Sequence, residues 1–295
     1  MESTAHKPLY VGRFAPSPTG DLHFGSLIAA TASYLQSKHA GGQWLIRMED
    51  IDPPREVPGS ATSILRELAQ LGLNSDRAVL FQSTRTPAYE SAVNKLLSEG
   101  KAFWCACSRK DLPDSGIYPG TCRNGLPPGK SPRTVRLNVA GVTIRFTDLI
   151  QGWIEEDLEH STGDFVIRRA DGLPAYQLAV VIDDDFQGVT EVVRGADLLD
   201  STGRQIHLQH CLGLKTPGYA HLPLVTGADG KKLGKRFGSD PVGRLPAAAA
   251  IRLALQFLGQ NPPDGMELEK LWSWAKEHWQ IKSIPRSLKA GRLPA

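Results

Sequence analysis

Apolar positions along the chain come in short blocks separated by breakers. Residues 9–14 (LYVGRF) read as a strand stopped by the Pro/Gly cluster at 15–20 (APSPTG). Residues 27–35 (LIAATASYL) are small and apolar, and the glycine pair at 41–42 closes them as a helix of ordinary length. Residues 43–49 (QWLIRME) form a second expected strand. Strand, helix, strand is the pattern of a βαβ unit, with the Pro/Gly loop at the carboxyl end of the first strand. Helices are expected at 58–72 and 86–100, the second presenting Val93, Leu96 and Leu97 at helical spacing. Residues 133–182 look strand-rich, with 135–137, 142–146, 165–167 and 179–182 as the strands. The pattern then returns to strand (191–194), helix (201–212) and strand (221–225), and ends in helices at 247–258 and 268–279. The expected fold is α/β: a doubly wound parallel sheet from residues 1–85 and 186–240, an insertion at 86–185, and a short C-terminal helical region at 241–295.

One stretch breaks the pattern. Residues 101–135 carry Cys105, Cys107 and Cys122 among many prolines and glycines, with few periodic apolar positions, so some other staple must order them. With four cysteines in the chain, three of them this close, a metal site suits the pattern better than a disulfide framework. The ordinary alternative for these residues is three buried free thiols; Cys211, in an apolar helix, reads as core. No run of eighteen apolar residues and no secretion-signal pattern is present, so a cytoplasmic location without membrane contact is expected. At 295 residues, 41% hydrophobic and 22% charged, with 34 Lys+Arg against 31 Asp+Glu, the composition excludes disordered and collagenous chains; a net charge of +3 permits a nucleic-acid partner without arguing for one.

Two loops carry candidate chemistry. His23 and Gly25 sit where the first strand hands over to a helix, where unpaired N–H groups and the positive dipole end favour a phosphate. Lys231, Lys232, Lys235 and Arg236 crowd a second glycine-bearing loop able to clamp a polyphosphate. Each loop alone has an ordinary reading, as a turn with a surface histidine and as a solvated basic turn.

Taken together they resemble a known family. RFAPSPTGDLHFGS at 13–26 is similar to the first signature of class I aminoacyl-tRNA synthetases in its glutamate/glutamine form, and KLGKR at 232–236 resembles the second, KMSKS signature. RMEDID (47–52), GDFV (163–166), PAYQ (174–177) and VRGADLL (193–199) fall between them in the family's order. The resemblance implies a Rossmann-like catalytic domain that activates glutamate with ATP and Mg²⁺. It implies that His23 and Lys235 are catalytic, that His23, Gly25, Lys232 and Lys235 bind ATP, and that Arg13, Ala15, Ser17, Glu49, Tyr176 and Arg194 bind L-glutamate. The residue types agree: cations suit the two carboxylates, and an acid suits the α-ammonium. Ser26 and Gly234 depart from the class signatures, the latter costing the second loop a hydroxyl donor.

The cysteine segment is similar to that of the glutamyl-Q tRNA(Asp) synthetases. There Zn²⁺ would be held within 101–125 by Cys105, Cys107 and Cys122, with Tyr118 in the fourth place, as a structural ion. Only 60 residues follow Lys235 (295 − 235), too few for the anticodon-binding region of an ordinary glutamyl-tRNA synthetase, so no such domain is expected. The implied activity is tRNA-independent formation of glutamyl-adenylate and transfer of glutamate to the queuosine base at the wobble position of tRNA(Asp). The partner would be its anticodon stem-loop, read by a monomer, with Arg109, Lys110, Arg123 and Lys130 as candidate contacts. Other readings are a glutamate-activating enzyme with another tRNA 3′ end or a non-RNA acceptor, and a non-catalytic RNA-binding descendant.

Overall fold

A computed structural model describes residues 9–225 and 245–286. In chain order the elements are β1 (Val11–Phe14), α1 (Phe24–His39), β2 (Gln43–Met48), α2 (Ser60–Gln70), β3 (Leu80–Phe81), α3 (Thr86–Ser98) and β4 (Ala102–Cys105). There follow β5 (Thr134–Leu137), β6 (Thr143–Asp148), β7 (Gly152–Asp157), a one-turn α4 (Leu158–Ser161), β8 (Phe165–Arg168), α5 (Tyr176–Gln187) and β9 (Glu191–Gly195). The described chain closes with α6 (Leu199–Leu212), β10 (Gly218–Leu222), α7 (Ala247–Phe257) and α8 (Leu268–His278).

β1 pairs with β2 and β2 with β3, all parallel. β9 pairs with β10 in parallel, and β10 with β6. The two halves meet where the Thr190 N–H donates to the Val11 carbonyl at 2.9 Å, beside β1 and β9. The strand order therefore reverses between β1 and β9, the switch point at which open α/β sheets bind ligands. α1 packs closely on this seam because β1 carries Gly12; a Cβ there would meet Ser37 Oγ at 2.2 Å.

The α/β class with a parallel sheet is as the pattern implies, but three local expectations change. Residues 179–182 are not a strand; they form the middle of α5, whose C-terminus is closed by the left-handed Gly188. A short continuous apolar run fits a buried helix as well as a buried strand, and here burial covers most of the helix circumference. The last parallel strand ends at Leu222 rather than running to 225. Within 86–185, β4, β5 and β8 make a separate antiparallel sheet, whereas the β6–β7 hairpin extends the parallel sheet through β10. A division at 85 and 186 thus cuts across the main sheet. α7 and α8 share the core of α1: Trp272 Nε1 donates to the Leu71 carbonyl at 2.8 Å and Trp279 Nε1 to Gln36 Oε1 at 2.8 Å. Among the described residues no helix is long and apolar enough to cross a membrane.

Candidate active site and metal-binding knuckle

A cleft of about 500 Å³ opens at the carboxyl ends of β1, β2, β9 and β10. Arg13, Ala15, Ser17, His23, Gly25, Glu49, Tyr176 and Arg194 all line it, so every described residue singled out for ATP or glutamate faces one space. Lys232, Lys235 and Gly234 lie outside the described residues.

His23 is the N-cap of α1, its Nδ1 accepting from the Ser26 N–H at 3.2 Å. The imidazole and the first turn with Gly25 thus present a donor-rich helix end to the cleft. Deeper in, two guanidiniums meet two carboxylates. Arg13 donates from Nε to Asp184 Oδ1 at 3.1 Å, and Arg47 from Nη1 to the same oxygen at 2.7 Å. Arg47 Nη2 lies 3.6 Å from Glu49 Oε1. Burial pushes the Glu49 carboxyl up, against the pull of Arg47 and Arg13, to about 7. Asp184, equally buried, is held below the usual carboxylate range because Arg13 and Arg47 outweigh desolvation. With both acids ionised, this cluster together with Arg194, which acts electrostatically on Glu49, carries three positive and two negative charges, a net positive seat for a ligand with two carboxylates and one ammonium.

Arg194 is aimed from behind. His221 Nε2 accepts from Arg194 Nε at 3.0 Å, which puts the ring proton on Nδ1, and Nδ1 donates to Asp148 Oδ2 at 2.6 Å. Burial and the neighbouring Arg194 lower the His221 pKa despite Asp148, keeping the ring neutral. Arg194 Nη2 donates to Thr202 Oγ1 at 2.9 Å, while the buried Nη1 has no hydrogen-bond partner. A guanidinium fixed on two nitrogens with a third unspent is prepared for an anion.

Sequence reasoning missed Arg47, Asp184, Asp148 and His221. Arg47 had a signal: a lone cation within the apolar run Trp44, Leu45, Ile46 and Met48 of a strand, where burial would require an acid. The acids at 183–185 interrupting an apolar run were the matching signal. Asp148 and His221 lie 73 residues apart and carried none.

The cysteine segment forms a knuckle on the small sheet. Cys107 Sγ is 3.7 Å from Cys122 Sγ, and Tyr118 Oη is 3.4 Å from Cys105 Sγ and 3.9 Å from Cys107 Sγ. The three sulfurs lie within 4.8 Å of one another. Four ligands around zinc at about 2.3 Å for sulfur and 2.0–2.2 Å for oxygen have edges of about 3.5–3.8 Å, so the donor set fits that ion. Burial raises the Cys105 thiol, but hydrogen bonding from Tyr118 and the Cys107 amide, with Arg136 nearby, brings it down to about 7. Gly163 is what lets the knuckle dock: its φ is +63°, and a Cβ there would meet the Tyr118 carbonyl at 2.4 Å. Arg123 clamps the knuckle to Asp164 at 2.6 Å and to Glu159 at 3.1 Å, a structural anchor for the segment.

Residues 10–115 and 124–243 match the family described as tRNA synthetases class I (E and Q), catalytic domain; the second stretch includes Lys232 and Lys235. A glutamyl-Q tRNA(Asp) synthetase of Aromatoleum aromaticum is 52% identical, with 96% of this chain and 93% of that protein aligned. The chain belongs to the glutamyl-Q tRNA(Asp) synthetase family. It is a class I synthetase and hence a ligase. A Pseudomonas fluorescens protein of the same name is 51% identical over 95% of both chains. In fold, the glutamate-tRNA synthetase of Elizabethkingia anophelis superposes with a TM-score of 0.82 at 26% identity, covering 98% of this chain and 68% of that one.

Proposed function

We propose that this chain activates L-glutamate with ATP without needing tRNA, and then transfers glutamate to the queuosine base at the wobble position of tRNA(Asp). The observation that carries the reading is the cleft itself, where a helix N-terminus bearing His23 adjoins a cluster of Arg13, Arg47, Arg194, Asp184 and Glu49. All of these residues belong to one chain, so a monomer would suffice.

In the first step a glutamate α-carboxylate oxygen attacks the α-phosphorus of ATP, and pyrophosphate leaves. His23, the α1 N-terminus, Lys232 and Lys235 would hold the phosphates, with Mg²⁺ accompanying the nucleotide. The chain supplies positioning and fixed positive charge and no protein nucleophile. Arg194 and Arg13 would hold carboxylates and Glu49 the α-ammonium, while Ala15, Ser17 and Tyr176 shape the pocket. In the second step an acceptor hydroxyl attacks the glutamyl carbonyl and AMP leaves. A structural Zn²⁺ would be held by Cys105, Cys107, Cys122 and Tyr118; ordering the knuckle is the chemistry it supplies.

The test is transfer of labelled glutamate, with ATP and Mg²⁺, to tRNA from cells that make queuosine and from cells that cannot. Label confined to the queuosine-containing pool is expected. Equal labelling of both pools would indicate a conventional 3′-end acceptor, and labelling of neither would overturn RNA as acceptor.

A further inference from the structure

A second cavity, of about 790 Å³, lies between the turn after β2, the knuckle, and strands β5 and β8. Five arginines line it, Arg55, Arg109, Arg133, Arg136 and Arg169, against two acids, Asp52 and Asp171. Both acids are already neutralised: Arg169 reaches Asp52 at 3.1 Å and Asp171 at 2.6 Å, and Arg55 also pairs with Asp52. Arg109, Arg133 and Arg136 pair with neither of these acids; the carboxylate of Asp111 on the knuckle is the acid that acts on Arg133. Arg136 is buried in the groove wall, its Nη1 donating to the Asp164 carbonyl at 2.7 Å and its plane 4.0 Å from the Tyr118 ring. Arg109 and Arg133 are exposed and make no ion pair among the described residues. Arg55 lines both this groove and the glutamate cleft, so the two spaces adjoin.

We propose that this groove seats the phosphodiester backbone of the acceptor RNA, with Arg109 and Arg133 as its phosphate contacts. The inference rests on the proposed function, and names where that polyanionic substrate lies. Its reasoning is electrostatic and spatial. ATP and glutamate occupy the cleft, so the acceptor nucleotide must enter from beside it. The adjoining groove offers exposed guanidiniums that make no ion pair among the described residues. Phosphate contacts of this kind set register and affinity without reading sequence, and leave base recognition to other groups. Each contact released as counterions contributes about 0.7–0.9 to the slope of log K against log salt.

The experiment measures binding of queuosine-containing tRNA(Asp) by fluorescence anisotropy across KCl concentrations, using the full chain and its Arg109→Gln/Arg133→Gln double variant. Adenylate formation by pyrophosphate exchange and thermal melting are followed in parallel. Expected are a salt slope lower by about 1.4–1.8 and a dissociation constant about 25–60-fold higher at 0.1 M salt, with exchange and melting unchanged. Arg109→Lys/Arg133→Lys should restore most of the slope, since it keeps both charges, and this decides the matter if the glutamine variant folds poorly. Wild-type affinity and slope in the glutamine variant would overturn the groove while leaving the proposed function standing. A wild-type chain that binds this tRNA but transfers no glutamate to it would overturn the proposed function instead, and one that binds no RNA would overturn both.

Discussion

Glutamate affinity should depend on pH through Glu49. In the ligand-free cleft this carboxyl titrates at about 7, because its burial outweighs the attraction of Arg47, Arg13 and Arg194. An α-ammonium seated against it at about 4 Å, in an effective dielectric of about 20, contributes about 4 kcal/mol, equivalent to about three units of pKa. Glu49 would then be ionised throughout the bound complex, and binding must release the proton that the free site holds. For a free-site value of about 7, the release is about 0.9 proton at pH 6, 0.5 at pH 7 and 0.1 at pH 8. The dissociation constant for glutamate accordingly rises about tenfold from pH 8 to pH 6. Glutamate's own groups do not titrate in that window, so the proton comes from the protein. Calorimetric titration in two buffers of different ionisation enthalpy measures it directly. Glu49→Gln should bind glutamate more weakly at pH 8 and remove the dependence. Flat affinity between pH 6 and 8 with no proton released by the wild-type chain would refute the assignment.

Asp184→Asn strands two buried guanidiniums and should cost about 3–5 kcal/mol in chemical denaturation. Because the folded pKa of Asp184 is depressed, its stabilisation is complete above the ordinary aspartate value of about 3.9 and is lost as pH falls towards the lower folded value. His221→Gln frees Arg194 from its Nε anchor; KM for glutamate should rise about tenfold or more while KM for ATP stays near wild type, as expected for a lost buried bond to a charged group. Cys122→Ser should lower zinc content in elemental analysis and increase proteolysis within 101–125, while glutamate-dependent pyrophosphate exchange persists. Lys235→Ala should slow that exchange by about 10²–10³ with unchanged melting.

Part of the cleft was legible in the sequence, His23 and Gly25 through a local signal and Arg13, Glu49 and Arg194 only through the resemblance to a known family. A Pro/Gly loop between a strand and a helix places His23 and Gly25 at a helix N-terminus wherever that βαβ unit forms. The Cys-x-Cys and the later Cys122, in a segment with almost no core of its own, require a staple. Arg13, Glu49 and Arg194 sit at strand ends that a doubly wound order brings to one edge. What local pattern could not decide is whatever depends on a partner distant in sequence. Residues 179–182 read equally well as strand or helix until α5 is seen buried in the domain. Asp148 and His221 look like ordinary polar residues until parallel pairing of β10 with β6 and β9 sets one behind the other and both behind Arg194. Arg55 belongs to two cavities only because the turn after β2 lies between cleft and knuckle. The order of several short motifs along the chain, through the family they resemble, points to the chemistry the chain carries, while each motif alone has an ordinary reading. Tertiary structure decides how each group is charged: Arg13 and Arg47 act on both acids, but Asp184 accepts hydrogen bonds from the two and is held below the usual range, whereas Glu49 accepts none from them and burial takes it to about 7.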